Sequence, residues 1–257
     1  MAASLFTQFN PWALLGVFGL LSIAWIVSAW QHLGVGRDLA WSALRATVQL
    51  GLMGFVLTWL FAVQEPLLLA LFLALMVLMA GGFNASRGRE VRHAYWIGVL
   101  SIGLSAGVVL AWMLLAGLVP PEGRMLIPLG GMLIGNAMNA VSLTLDRLRG
   151  EINNQETLLV AMTALGANSR QVLAHVYPVV VRGALIPTID SLKSVGLIHI
   201  PGITAGMILA GSPPLQAVGM QLLVMFMLTA AVALATLGAV FLAGPYALYF
   251  NRTEAQR

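Results

Sequence analysis

Thr163-Ala164-Leu165-Gly166-Ala167-Asn168-Ser169-Arg170-Gln171 is the stretch on which the reading of this chain turns. It lies in a polar insert between long apolar runs. Gly166 interrupts a short helix-forming segment, about 155–165, with the residue that enters left-handed backbone conformations at no steric cost. Asn168 is a preferred N-cap, and Gln171 stands three residues on, a variant of the capping box. The pattern predicts a second short helix over about 169–177, ended by Pro178. Two short helices around a glycine joint make a compact knob beside a bilayer. An exposed helix of that kind fits a groove on a soluble partner, although a structured loop between spans is the plainer alternative.

Working outward, the rest of the chain is apolar. Of 257 residues, 60% are hydrophobic and 9% charged, against roughly 25% charged in soluble domains. Several runs reach the ~18–20 apolar residues that cross a hydrocarbon core of about 30 Å. Spans are expected at about 12–30, 46–63, 67–83, 95–119, 125–145, 183–211 and 215–242, with an amphipathic stretch at 32–45. The expected fold is all-α: a single membrane domain over 1–257, a polytopic protein of about seven transmembrane helices. The coupling insert would occupy about 149–182.

The basic residues set the expected orientation. With the N-terminus outside, Arg37, Arg45, Arg87, Arg89, Arg92, Arg147, Arg149, Arg170, Arg182, Arg252 and Arg257 fall in the cytoplasm and only Arg124 outside. That is the bias expected of inner-membrane proteins. The net charge of +4 is scattered over short loops, which argues against nucleic acid as a partner. With no cysteine, disulfides, thiolate metal sites and cysteine nucleophiles are excluded. No cleavable signal peptide is expected, since the first apolar run is long enough to stay as an anchor.

Polar residues inside the spans are the candidates for a pathway. Asn136 and Asn139 are three apart, on nearly one helix face that Ser142 extends. They serve either as interhelical hydrogen-bonding groups or as pathway lining, because carboxamides at membrane depth must face protein or water. Gly131 and Gly135 form a small-xxx-small pair suited to close helix packing. Asp190 and Lys193 are likewise three apart and able to pair. Pro201-Gly202 breaks the sixth segment and is expected to act as a hinge. Thirteen methionines are scattered singly and read as packing residues. No His or carboxylate cluster shows metal-ligand spacing, although Asp190 and His199 are conceivable ligands for a hard cation.

Gly130-Gly131-Met132-Leu133-Ile134-Gly135-Asn136-Ala137-Met138-Asn139, the step Leu165–Ser169 and Ile200-Pro201-Gly202-Ile203-Thr204-Ala205-Gly206-Met207 together resemble the FetB family. Those are bacterial iron-export ABC permeases with half-size plant relatives of aluminium tolerance. The insert also resembles the cytoplasmic loop of ABC permeases generally, with its acidic-Ala-Ala part degraded to Val160-Ala161-Met162-Thr163-Ala164. The resemblance implies a permease subunit that exports iron or a related metal, with a place in metal homeostasis and oxidative-stress resistance. It implies a partner ABC ATPase holding ATP and magnesium, a second copy of this chain, and coupling through Leu165, Gly166, Ala167, Asn168, Ser169 and Arg170. No cofactor is expected on this chain. The sequence agrees that the engine lies elsewhere, since a phosphate-cradling loop needs Gly-x-x-x-x-Gly-Lys-Ser/Thr. The sole lysine, Lys193, follows Asp190-Ser191-Leu192 instead.

Other function classes make different demands. An intramembrane enzyme would need Ser191, Asp190 and His199 to form a hydrolytic constellation, and no motif frames that serine. A self-contained carrier using Asp190 would leave the insert without a purpose. An ABC permease for an organic solute, such as a nucleotide sugar, would keep the architecture and change the cargo.

Overall fold

The computed structural model describes residues 11–247, except 33, 63, 64, 88–90 and 92. Arg89, Arg92, Arg252 and Arg257, counted above for orientation, lie outside the described residues. Among the described residues the chain is helical, with one isolated bridge pair, Val195 and His199. The helices are α1 (Pro11–Trp30), α2 (Gly36–Ala62), α3 (Pro66–Arg87), α4 (Ala94–Leu115), α5 (Gly123–Asn154), α6 (Glu156–Ala164), α7 (Ser169–Ser194), α8 (Gly202–Leu209) and α9 (Pro214–Ala247). Six of them, α2, α3, α4, α5, α7 and α9, are long and apolar enough to cross a membrane. α1 adds a further uncharged helix of 20 residues.

Two compact units are present. One holds α1 and α2, which pack on each other; the other holds α3 to α7, α9 and α8 up to Ile208. In the larger unit α9 packs on both α4 and α5, α3 lies against α4 and α5, and α7 lies against α5 and α9. Ile102, Leu133, Val141 and Leu148 are fully buried at its centre. Ala231, Ala235, Ala239 and Ala243, each four apart on α9, have no exposed surface. A small side chain once per turn lets neighbouring helices approach closely where lipid gives no hydrophobic drive to pack.

Several boundaries differ from expectation. The amphipathic stretch at 32–45 is not a separate interfacial helix; its larger part forms the first turns of α2. α5 continues past 145 to Asn154, so the insert begins on a helix. The second short helix does not stop at Pro178: α7 runs on to Ser194 with Pro178 and Pro187 inside it. Each proline removes one backbone hydrogen bond at a cost of about 3 kcal/mol. Burial of Val172, Val176, Val180 and Ala184 on one face of α7 offsets that loss. Of the expected pair, Gly131 does lie close to α3, where Met76 Cε would stand 3.3 Å from a Cβ, but the tighter approach falls one residue earlier. Leu73 of α3 fills the notch at Gly130, while a Cβ on Gly135 would meet open space.

A second notch joins α7 to α9. The Tyr177 hydroxyl lies on the backbone of Gly244, and its ring meets Phe241 edge-on at 5.6 Å. Gly244→Ala is therefore expected to expel the ring and destabilise the purified protein by about 1–3 kcal/mol, the usual cost of overpacking. Tyr177→Phe should recover part of that loss, and equal melting temperatures for Gly244→Ala and the parent chain would contradict the packing described.

Candidate functional site

The turn between α6 and α7 is specified residue by residue. α6 ends at Ala164, and Gly166 follows with φ at +90°, in the left-handed region. The Gly166 N–H donates to Thr163 O and the Ala167 N–H to Met162 O, both at 3.0 Å. This is the paired bonding of a Schellman motif, which satisfies the last carbonyls of a helix. Two residues later the next helix is capped from both sides. Asn168 Oδ1 accepts from the Gln171 N–H at 2.9 Å, and Gln171 Oε1 accepts from the Asn168 N–H at 2.8 Å. The turn thus closes its backbone bonds from its own residues, Met162 to Gln171. Leu165 is 90% exposed at its tip, with Asn168, Ser169 and Arg170 exposed beside it. Ala167 is half-buried against the core beneath.

Side-chain contacts fix the height of each helix against its neighbours. Arg147 of α5 lies across Gly183 of α7, its guanidinium carbon 3.1 Å from where a Cβ would stand. From Gly183 to Ser194, the end of α7, is 194 − 183 = 11 residues, a rise of about 17 Å. From Arg147 to Gly123, the start of α5, is 147 − 123 = 24 residues, about 36 Å. α7 therefore ends near half the height of α5, level with Asn136. α9 agrees. Thr204 of α8 donates to Gln221 Oε1 at 3.4 Å. Gln221 is 244 − 221 = 23 residues, about 35 Å, above the Tyr177–Gly244 notch. Tyr177 lies 183 − 177 = 6 residues, about 9 Å, below Gly183, which leaves Thr204 about 26 Å above Arg147.

By length and composition α7 could cross alone, yet its residues 169–182 lie below Arg147. Asp146, Arg147, Arg149 and Glu151 end the apolar part of α5, a run of charge that suits the edge of a hydrocarbon core about 30 Å thick. Beyond Ser194 the chain continues as 195–201 and α8, whose Thr204 reaches Gln221 of α9. The helix breaks at Val195–Gly196, earlier than the expected hinge. Gly196 takes φ +80° and its N–H donates to His199 O at 3.0 Å. Pro201 instead starts α8, its carbonyl accepting from the Ala205 N–H at 3.1 Å, and Gly202 is the first helical residue. Irregular backbone at such depth persists only against protein or water.

Around this break the polar candidates divide. Lys193 Nζ stands 3.7 Å from Asp190 Oδ1, both side chains well exposed. The Ser194 hydroxyl meets His199 Nδ1 at 3.4 Å across the loop. Asn136 and Asn139 are exposed on α5 at the same height, Asn136 donating to Met132 O at 2.8 Å. Ser142 does not continue their stripe; its hydroxyl donates inward to Asn84 Oδ1. Among the described residues no three His, Asp or Glu side chains gather to hold a metal.

Sequence reasoning missed the Asn84 node. This fully buried carboxamide on α3 lies against Gly98 of α4, 2.9 Å from where a Cβ would stand, and bonds Ser142 of α5. An asparagine in the last turns of an apolar helix was the available signal.

Residues 11–247 match the family described as "Uncharacterised protein family (UPF0014)". The chain is 34% identical over 233 residues to the "Probable iron export permease protein FetB" of Escherichia coli (strain K12), covering 90% of this chain and 89% of that one. It is 33% identical over 223 residues to the "Protein ALUMINUM SENSITIVE 3" of Arabidopsis thaliana, covering 87% and 82%. It is 32% identical over 212 residues to the "UPF0014 membrane protein YjkA" of Bacillus subtilis (strain 168), covering 82% and 85%. No solved structure matches it.

Proposed function

Because the chain belongs to the UPF0014 family and is a multi-pass membrane permease, we propose that it is the transmembrane subunit of an ATP-driven exporter of iron or a related metal cation. A separate ABC ATPase holds ATP and magnesium. The observation that carries the reading is the exposed turn Leu165–Arg170, held by a Schellman motif and a capping box. A groove on the ATPase receives this turn, and because α7 continues from it without interruption, a push on the turn moves α7 as a lever against α5 and α9. The relative named for iron export supplies the cargo class.

The side that bears the turn is cytoplasmic by the positive-inside rule, since Arg147 and Arg149 of α5 and Arg170 of α7 lie at that end of their helices. The N-terminus is then outside. Two copies enclose one pathway: exposed carboxamides at Asn136 and Asn139 and an exposed helix break at membrane depth need protein or water against them. ATP-driven approach of two ATPases rocks the copies between inward- and outward-open states, each favoured by its own contacts.

The decisive experiment is reconstitution of the chain with a candidate ABC ATPase, with and without ferrous iron. ATP turnover should rise with the permease and again with iron, and fall to the unstimulated rate in Asn168→Ala with Arg170→Ala. Loss of that cap costs about 1 kcal/mol of local helix stability, enough to blur the turn without unfolding the bundle. A permease that never stimulates an ATPase sinks the reading; stimulation indifferent to iron keeps the architecture and excludes the cargo.

A further inference from the structure

We propose that the break between α7 and α8 is a transit site for a divalent metal cation, in which Lys193 is the tethered counter-ion that an arriving metal displaces from Asp190. The inference rests on the permease reading above and adds the site and the manner of loading.

Four features fall within the ten residues from Asp190 to His199. Asp190 is held 3.7 Å from the ammonium of Lys193. Ser194 lies one helical turn beyond Asp190 on the same face. Its hydroxyl stands 3.4 Å from the imidazole of His199, which the Gly196 turn folds back over the helix end. The C-terminal end of α7 directs the negative pole of its dipole at the same point. Carboxylate, hydroxyl and imidazole form the mixed oxygen and nitrogen set that suits first-row divalent ions, and along α7 Asp190 and Ser194 stand 190 − 183 = 7 and 194 − 183 = 11 residues, about 10 and 17 Å, above the Arg147–Gly183 contact, at a depth that suits the core of a bilayer.

The composition of the site argues for transit over storage. Only two of its groups are strong ligands, so a bound ion keeps open positions and leaves readily. The ion pair argues the same way. An exposed i,i+3 pair in water is worth little, whereas at membrane depth a lone carboxylate is costly and a lone ammonium equally so. Lys193 keeps Asp190 neutralised while the site is empty. When a divalent cation enters, its charge takes over that task and the flexible lysine stem lets the ammonium swing aside. No covalent bond changes and no proton need move.

Lys193 is the only lysine in the chain, which makes its release directly measurable. The full chain in detergent would be treated with an amine-acetylating reagent at fixed pH, with and without manganese(II) as the probe ion, and acetylation at Lys193 read by mass spectrometry. The expected result is a several-fold faster labelling of Lys193 in manganese(II). Asp190→Asn should label fast without metal and show no further change. Electron paramagnetic resonance of free manganese(II) gives the affinity independently: Lys193→Gln should bind about tenfold or more tightly, because a like charge has left the site, and Asp190→Asn at least as much more weakly.

Labelling of Lys193 that is unchanged or slowed by the metal overturns the proposal, as does a Lys193→Gln chain that binds no better while remaining folded. If Lys193→Gln fails to fold, the labelling of the parent chain still decides. A chain that stimulates its ATPase but shows no metal-dependent labelling loses this site and keeps the permease role. One that labels as expected yet activates no ATPase keeps the site and loses the ATP-driven reading.

Discussion

Replacing Gly166 with valine is expected to abolish stimulation of a partner ATPase while leaving the chain folded and inserted. The glycine holds φ at +90° between the two bonds of the Schellman motif. A non-glycine residue in the left-handed region costs about 1–2 kcal/mol, and a β-branched one is the least tolerated there. A Cβ at this position would meet no neighbouring atom, so the effect is one of backbone strain and not of packing. A strain of one to two kcal/mol depopulates the formed turn by about 5–30-fold. Buried Val172, Leu173 and Val176 continue to hold α7 on the bundle. Gly166→Asn is the control, because asparagine visits this conformation readily; it should retain most of the stimulation. Equal activity in the valine and asparagine variants would remove the turn from the coupling role.

The second large effect is expected inside the bundle. Gly98→Val should destabilise the protein by about 1–3 kcal/mol or prevent its insertion, because the new side chain occupies the place of Asn84. A Cβ at residue 98 would stand 2.9 Å from Asn84 Nδ2 and 3.1 Å from its Cβ. The second of these atoms moves only with the backbone of α3. Asn84 has no exposed surface and is tied to Ser142 on the third helix, so it cannot rotate away. The amide nitrogen itself has no hydrogen-bond partner, so removing this side chain relieves an unpaired donor as well as making room. Asn84→Ala combined with Gly98→Ala should therefore be more stable than the sum of the single changes by about 1 kcal/mol or more, the size of coupling expected for touching residues. Additive effects in thermal unfolding would show that the two side chains are not in contact.

How far the sequence reached depends on whether a feature is local. The membrane character, the all-helical fold and nearly every span followed from runs of apolar residues, because a bilayer forces each segment to satisfy its own backbone. The α6–α7 turn was equally legible, since Gly166, Asn168 and Gln171 complete their bonds within nine residues of chain, from Thr163 to Gln171. The pairing of Asp190 with Lys193 followed from their spacing alone. The continuation of α7 through Pro178 was not legible. Proline reads locally as a stop, and only the apolar face that α7 buries against α5 and α9 overrides it.

The sequence by itself therefore determined what a single helix or turn decides from its own atoms: the membrane character, most of the apolar spans, the α6–α7 turn with its Asn168 cap, and the family. Tertiary structure alone decided heights and partners. That α7 ends level with Asn136, and that Ser142 turns inward to Asn84 while Asn139 stays outward, depend on which side chains meet across helices. Such contacts join residues far apart in the chain, such as Arg147 with Gly183 and Tyr177 with Gly244. Hydrophobic periodicity marks which face of a helix is buried but not how far it slides along its neighbour, and that sliding is set by notches as small as one missing Cβ.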